Sequence, residues 1–256
     1  MRITRTMSFL AREATKSSLR KLPLVAGVSV FVVAVALVGQ NFVSTPYTAR
    51  AAVTPDSCFA FNSSTVRITN YYDNEANNPA NPACPRDVSI PATIGGVTVT
   101  GVSTYGMSGK GLTALTIPPT LNSTGYAFAY NQIESIVIPE GITSIGGGAF
   151  RGNRLSSVSL PSTLTSIGDR AFTDNYFIAD IALPPNLTTI GPRAFWGNML
   201  TEVTIPASVT SIAAEAFWNN YDLHTIVFEG VLPTIGTDAF TPSEIQSVQY
   251  NGVTYT

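Results

Sequence analysis

Few side chains in this sequence have the types and spacing that catalysis or metal binding requires. There is one histidine, His224, and there are two cysteines, Cys58 and Cys84. A nucleophilic relay needs a base beside a serine or thiol and an oxyanion turn. His224 meets Asp180 or Glu202 only if distant segments align, and no serine with such a turn accompanies it. It therefore reads as a solvated side chain. One histidine and two cysteines also leave too little for a zinc site. Asp73-Asn74-Glu75, with Asn77, Asn78 and Asp87 nearby, supplies oxygen atoms of the kind calcium takes, but in no calcium-loop spacing. Ser108-Gly109-Lys110 resembles the end of a phosphate loop, yet Thr104 stands where its first glycine belongs. No catalytic residue, metal or cofactor is expected. What remains is surface chemistry: Trp196, Trp218, Tyr176 and Tyr221, with Tyr130 near them, can stack on sugars or anchor a protein, or can simply cover the edge of a core.

The elements that would position these rings repeat. Ala-Phe-x-x-Asn places phenylalanine at Phe128, Phe150, Phe172, Phe195, Phe217 and Phe240, a period of 22 or 23 residues. Asn131, Asn153, Asn175, Asn198 and Asn220 follow three residues after the first five. An apolar L-x-x-V-x-I-P pattern closes units at Pro139, Pro161, Pro184 and Pro206. Such a period predicts a solenoid in which each unit covers its neighbour's apolar face.

Within one unit, Leu155, Val158 and Leu160 alternate with Ser156, Ser157 and Ser159, which predicts a short strand, and Pro161 ends it. Leu164 and Ile167 return inward, Gly168 permits a bend, and Ala171 with Phe172 faces the strand. Asn175 falls where the chain turns, and its amide can satisfy buried backbone groups. The 23-residue units carry their extra residue just after the asparagine, at Tyr176-Phe177 and Tyr221-Asp222, where a turn can absorb it. Met107 holds the first of seven phenylalanine-type slots. A hairpin across Asn62–Thr65 at one end, and one at Asn251-Gly252 at the other, would cap the stack.

Charge divides the chain. Seven of the 14 basic residues and one of the 16 acidic residues precede Ala52. The remainder holds 7 basic and 15 acidic residues, a poor surface for nucleic acid. Arg2 to Lys21 precedes an apolar stretch at 22–38, and Ala49-Arg50-Ala51 is a small-x-small site, so 1–51 reads as a signal peptide or an N-terminal membrane anchor. In an exported chain the isolated pair Cys58 and Cys84 reads as a disulfide. The domains expected are thus 1–51, a cap at 52–89 holding that disulfide, repeats at 90–246 and a capping hairpin at 247–256.

Thr201-Glu202-Val203-Thr204-Ile205-Pro206, Val209-Thr210-Ser211-Ile212 and Ala216-Phe217 together resemble the BspA-type leucine-rich repeat of bacterial surfaces. The resemblance covers about 90–250 and departs at Ala213, Glu229 and Thr124, which replace Gly, Pro and Ile. It implies an α/β-type leucine-rich-repeat solenoid: a β-rich right-handed superhelix of about seven repeats, with a parallel sheet of short strands. It also implies an exported, non-enzymatic adhesion or protein-binding module. The expected binding column on the sheet comprises Glu134, Ser135, Ser157, Asp180, Glu202, Thr204, His224 and Thr225, over about 30 Å of sheet. Expected partners are extracellular proteins or surface glycans of a host or neighbouring cell, with membrane contact only through the N-terminal segment. The alternatives are a structural envelope component, and a glycan binder using Tyr176, Trp196, Trp218 and Tyr221.

Overall fold

The computed structural model describes residues 54–72, 84–122, 124–176, 178–243, 245–250 and 253–255. The expectations for 1–51, for the oxygen cluster at Asp73–Asn78 and for the Asn251-Gly252 turn lie outside these residues. The strands, in chain order, are β1 (Phe59–Asn62), β2 (Arg67–Tyr71), β3 (Asp87–Ser89), β4 (Thr93–Ile94), β5 (Val97–Thr98) and β6 (Gly101–Val102). Next come β7 (Ala114–Thr116), β8 (Ser135–Val137), β9 (Ser144–Ile145), β10 (Ser157–Ser159), β11 (Ser166–Ile167) and β12 (Thr189–Ile190). The last are β13 (Glu202–Ile205), β14 (Ser211–Ile212), β15 (Thr225–Phe228), β16 (Thr234–Ile235), β17 (Ser247–Tyr250) and β18 (Val253–Tyr255). Among the described residues the single helical piece is a 3-10 turn at Asp56–Cys58. The repeats thus form a β-solenoid of about seven turns, and each coil crosses three faces.

The first face carries the strands of the L-x-x-V-x-I pattern. Alternation works as expected: in β8, Ile136 is buried between exposed Ser135 and Val137. The strands pair in parallel as β3–β7, β8–β10 and β13–β15–β17, and β18 closes antiparallel on β17. This face is not one continuous sheet. Between β10 and β13 the segment Ala179-Asp180-Ile181-Ala182 is not a strand. Alanine is depleted in strands, and Ala182 stands where the paired strands carry Ser89, Thr116, Val137, Ser159, Thr204 and Val227. The coil still keeps its phase, because Met199 and Thr201 N–H groups donate to Ile178 and Ala179 carbonyls.

The second face is a parallel sheet that the sequence reading treated only as a return to the interior. β9, β11, β12, β14 and β16 align Ser144, Ser166, Thr189, Ser211 and Thr234 in one row. Ile145, Ile167, Ile190 and Ile212 form the inward row beside it. The glycine after the isoleucine is a close-approach position. A Cβ on Gly191 would lie 2.7 Å from the carbonyl carbon of Gly168 in the preceding coil.

The third face is the Ala-Phe segment, held by main-chain bonds from coil to coil: Phe128 N–H to Ala149 O, Phe150 to Ala171, Phe172 to Ala194, Phe195 to Ala216 and Phe217 to Ala239. The residue before each alanine, and the second after each phenylalanine from Phe128 to Phe217, have positive φ, as at Arg170, Asp174, Arg193 and Gly197. That pair of left-handed steps turns the chain around the phenylalanine. The six rings from Phe128 to Phe240 stack in one column, with successive centroids 5.2 to 5.6 Å apart. Phe128 through Phe217 are fully buried, and truncating such a ring to alanine costs about 3–5 kcal/mol.

The three departures from the repeat are accommodated locally. Buried Thr124, in place of an isoleucine, accepts a hydrogen bond from Gly146 N–H at its Oγ1. Glu229, in place of proline, keeps an N–H that donates to Ile205 O. Ala213 donates its N–H to Ile190 O and stays in the ladder. At the amino end, β1 and β2 pair antiparallel, and β2 joins β6 in parallel. Cys58 and Cys84 form a disulfide with Cα atoms 5.6 Å apart. Phe59 packs on Tyr71 at 5.3 Å, and Tyr71 Oη donates to Pro85 O.

Candidate binding surfaces

On the first face, strand register brings the expected column together in two blocks. Ser135 lies directly beside Ser157, both exposed, and Ser156 donates its N–H to the carbonyl of exposed Glu134. Further along, Glu202 lies beside Thr225, and Thr204 beside Val227. His224 is exposed, and its Nδ1 lies 3.0 Å from Thr225 Oγ1, which in turn lies 3.1 Å from Ser247 Oγ. Asp180 is exposed on the non-strand segment between the blocks, so it shares the column but not the ladder. The sequence reading passed over Val137, half exposed on the outer side of β8.

The turn face holds the aromatic residues. Trp196 and Trp218 stack with centroids 5.3 Å apart and planes 8° from parallel. Tyr176 and Tyr221 do not join them among the described residues: Tyr176 Oη donates to Asp174 Oδ1, and Tyr221 projects outward, 64% exposed. Tyr130 takes the Arg151 guanidinium over its ring at 5.5 Å. The phenol of Tyr176 titrates above its ordinary range, first through desolvation and then through the charge of Asp174.

Around the indoles lies a depression of about 330 Å³ lined by Arg151, Arg170, Thr173, Arg193, Trp196, Glu215 and Trp218. Two repeat columns build it. The slot after phenylalanine supplies Arg151, Thr173, Trp196 and Trp218; the slot before alanine supplies Arg170, Arg193 and Glu215. Arg193 Nε and Nη2 donate to Glu215 Oε2 and Oε1 at 2.8 and 2.9 Å, a bidentate pair between coils. That bond holds the Glu215 carboxyl below the usual carboxylate range and raises the guanidinium. Arg170 Nη1 donates to Asp169 Oδ2 at 2.6 Å, and Arg151 reaches Asp174 Oδ2 at 3.4 Å. The sequence reading missed these arginines, although Arg151 shares the tryptophan slot and Arg170 and Arg193 share one another's. Aligning the repeats by slot would have found them.

Elsewhere, Glu140 accepts from Ser162 N–H, Ser162 Oγ and Thr163 N–H in the next coil, which lowers its pKa, chiefly through the Ser162 backbone bond. Among the described residues, no group of three or more His, Cys, Asp or Glu side chains gathers to hold a metal, and no helix is long and apolar enough to cross a membrane.

Residues 123–246 match the model of the BspA type leucine rich repeat region in six copies. No curated protein matches the chain. Among solved structures, the chain is similar to a leucine rich repeat protein of T. pallidum, with 22% identity, a TM-score of 0.46, and coverage of 72% of this chain and 86% of that one. The pneumococcal vaccine antigen PcpA shows 18% identity and a TM-score of 0.46, over 72% of this chain and 55% of that one. A leucine rich cell surface protein of Faecalibacterium prausnitzii shows 19% identity and a TM-score of 0.34, over 75% and 74%.

Proposed function

Because residues 123–246 belong to the BspA-type leucine-rich-repeat family of bacterial surface proteins, we propose that this chain is an exported, non-enzymatic adhesion module. Its first face contacts extracellular proteins of a host or neighbouring cell. The observation that carries this reading is the register of the outward column. Ser135 with Ser157, and Glu202 with Thr225, stand on hydrogen-bonded strands at neighbouring positions. A face already ordered by its own ladder loses little further conformational freedom on binding, so many weak polar contacts can add. In this reading 1–51 is the export signal or anchor, while 52–89 and 247–256 cap the two ends of the stack.

The test is Ser157→Arg combined with Thr204→Arg in the full chain. Both positions face outward, so the melting temperature should stay within the small range of surface substitutions. Adhesion to immobilised extracellular proteins and to intact cells should fall about tenfold, a loss of ~1.4 kcal/mol. Undiminished adhesion would move the site off this face. A structural envelope role predicts instead that the chain stays with the envelope fraction and that the double substitution changes nothing measurable.

A further inference from the structure

The tryptophan depression has a chemistry of its own, distinct from the sheet face. Its lining carries three guanidinium groups and one carboxylate. From residue 52 onward the chain has 7 basic and 15 acidic residues, so three of seven cations converge on one point of an acidic body. Both oxygens of the single carboxylate, Glu215, already accept from Arg193. Thr173 Oγ1 donates to Arg193 O. What stays open is a set of donors: Arg170 Nε and Nη2, Arg151 Nη1, Arg193 Nη1 and the two indole N–H groups have no hydrogen-bond partner among the described residues. Each guanidinium is paired with one carboxylate, Arg193 with Glu215, Arg170 with Asp169 and Arg151 with Asp174, so the groups left unpaired on the lining are donors, and they match a ligand that brings acceptors.

The indoles narrow the choice. Stacked 5.3 Å apart and nearly parallel, they leave no room for a third ring between them. Main-chain groups on the lining are engaged as well: Phe172 N–H donates to Ala194 O, Asp174 to Trp196, Gly197 to Trp218 and Arg193 to Ala214. An extended peptide recognised through its backbone would find no free main-chain partner here. A small ring carrying a carboxylate and hydroxyl acceptors needs only side-chain donors, and the volume, about 330 Å³, is at the lower end of the range for small-molecule sites. We propose that this depression binds a carboxylate-bearing saccharide unit, its carboxylate facing Arg170 and Arg151 and its ring lying against the indoles.

Trp196 and Trp218 are the chain's two tryptophans, so intrinsic tryptophan emission reports on this site alone. The full chain would be titrated with a glucuronate disaccharide and with sialyl-lactose, each against its neutral counterpart, and with a tetraglutamate peptide. The expected result is a saturable emission change with at least one acidic sugar, about tenfold weaker or absent with its neutral counterpart. Arg170→Gln keeps a side chain able to bond Asp169 and should weaken that response about tenfold without changing the melting temperature; Arg151→Gln serves as the second variant. The sheet-face double variant should respond like the parent chain, which separates this site from the adhesion reading. The proposal is overturned by no saturable response to either acidic sugar, by an equal response to the neutral sugars, or by a response to the peptide alone. It is also overturned by undiminished affinity in both arginine variants.

Discussion

The buried asparagines bind each coil to the one before it. Asn175 donates from Nδ2 to Phe150 O and Phe172 O, each at 3.0 Å, and accepts at Oδ1 from Leu155 N–H at 3.3 Å. Asn131, Asn153 and Asn220 repeat this pattern. Asn198 keeps the donor half, but its Oδ1 has no partner among the described residues. The extra residue after Asn175 explains the difference. Ile178 N–H, which repeat spacing would aim at Asn198, donates instead to Asn175 O. Leaving a buried polar group unpaired costs about 1–3 kcal/mol. Asn175→Ala should therefore destabilise by about 3–5 kcal/mol, and Asn198→Ala by about 1–2 kcal/mol less. Denaturant unfolding of the two variants would measure the difference; equal losses would show that the bond accepted at Asn175 Oδ1 adds nothing to stability. The sequence marks all five asparagines alike, and only the path of the inserted turn tells them apart.

At the scale of elements, the first face shows where pattern and propensity part. Ile181 and Leu183 keep the inward pattern, which is why the sequence reading expects a strand at Ala179–Ala182. Outward position 182 decides otherwise, since Ala182 offers no β-branched or hydroxyl side chain to pack across strands, whereas the slot of Asp180 holds Asp87 in β3 and Ala114 in β7 without loss of the strand. Asp180→Thr combined with Ala182→Val should extend pairing from β10 to β13 and stabilise by about 1 kcal/mol. Hydrogen exchange would register this as slower exchange at residues 180 to 182, and unchanged exchange would return the gap to some other cause. The second face shows the converse. Ser-Ile and Thr-Ile pairs are too short for alternation to identify as strands, yet five of them align once the coils stack.

For the whole molecule, order passes from neighbour to neighbour, so the loss of one tie should act locally. The Cys58–Cys84 bond closes a separation of 26 residues, for which chain entropy gives roughly 3.5 kcal/mol. Reduction should open the β1–β2–β6 region first, with Ile68 and Val102 losing exchange protection, while tryptophan emission from the distant coils of Trp196 and Trp218 keeps nearly its original thermal midpoint. A single concerted loss by both probes would mean that the stack unfolds as one unit.

The spacing of phenylalanine and asparagine by itself determined that equivalent side chains would line up in columns, because a strict period leaves stacked coils no other phase. Alternation within L-x-x-V-x-I likewise determined which residues face the core. The tertiary structure alone decided the partners within each column. The Arg193–Glu215 pair, the unpaired Asn198 oxygen and the five-strand second sheet all arise between coils some 22 residues apart, from contacts that no local pattern encodes.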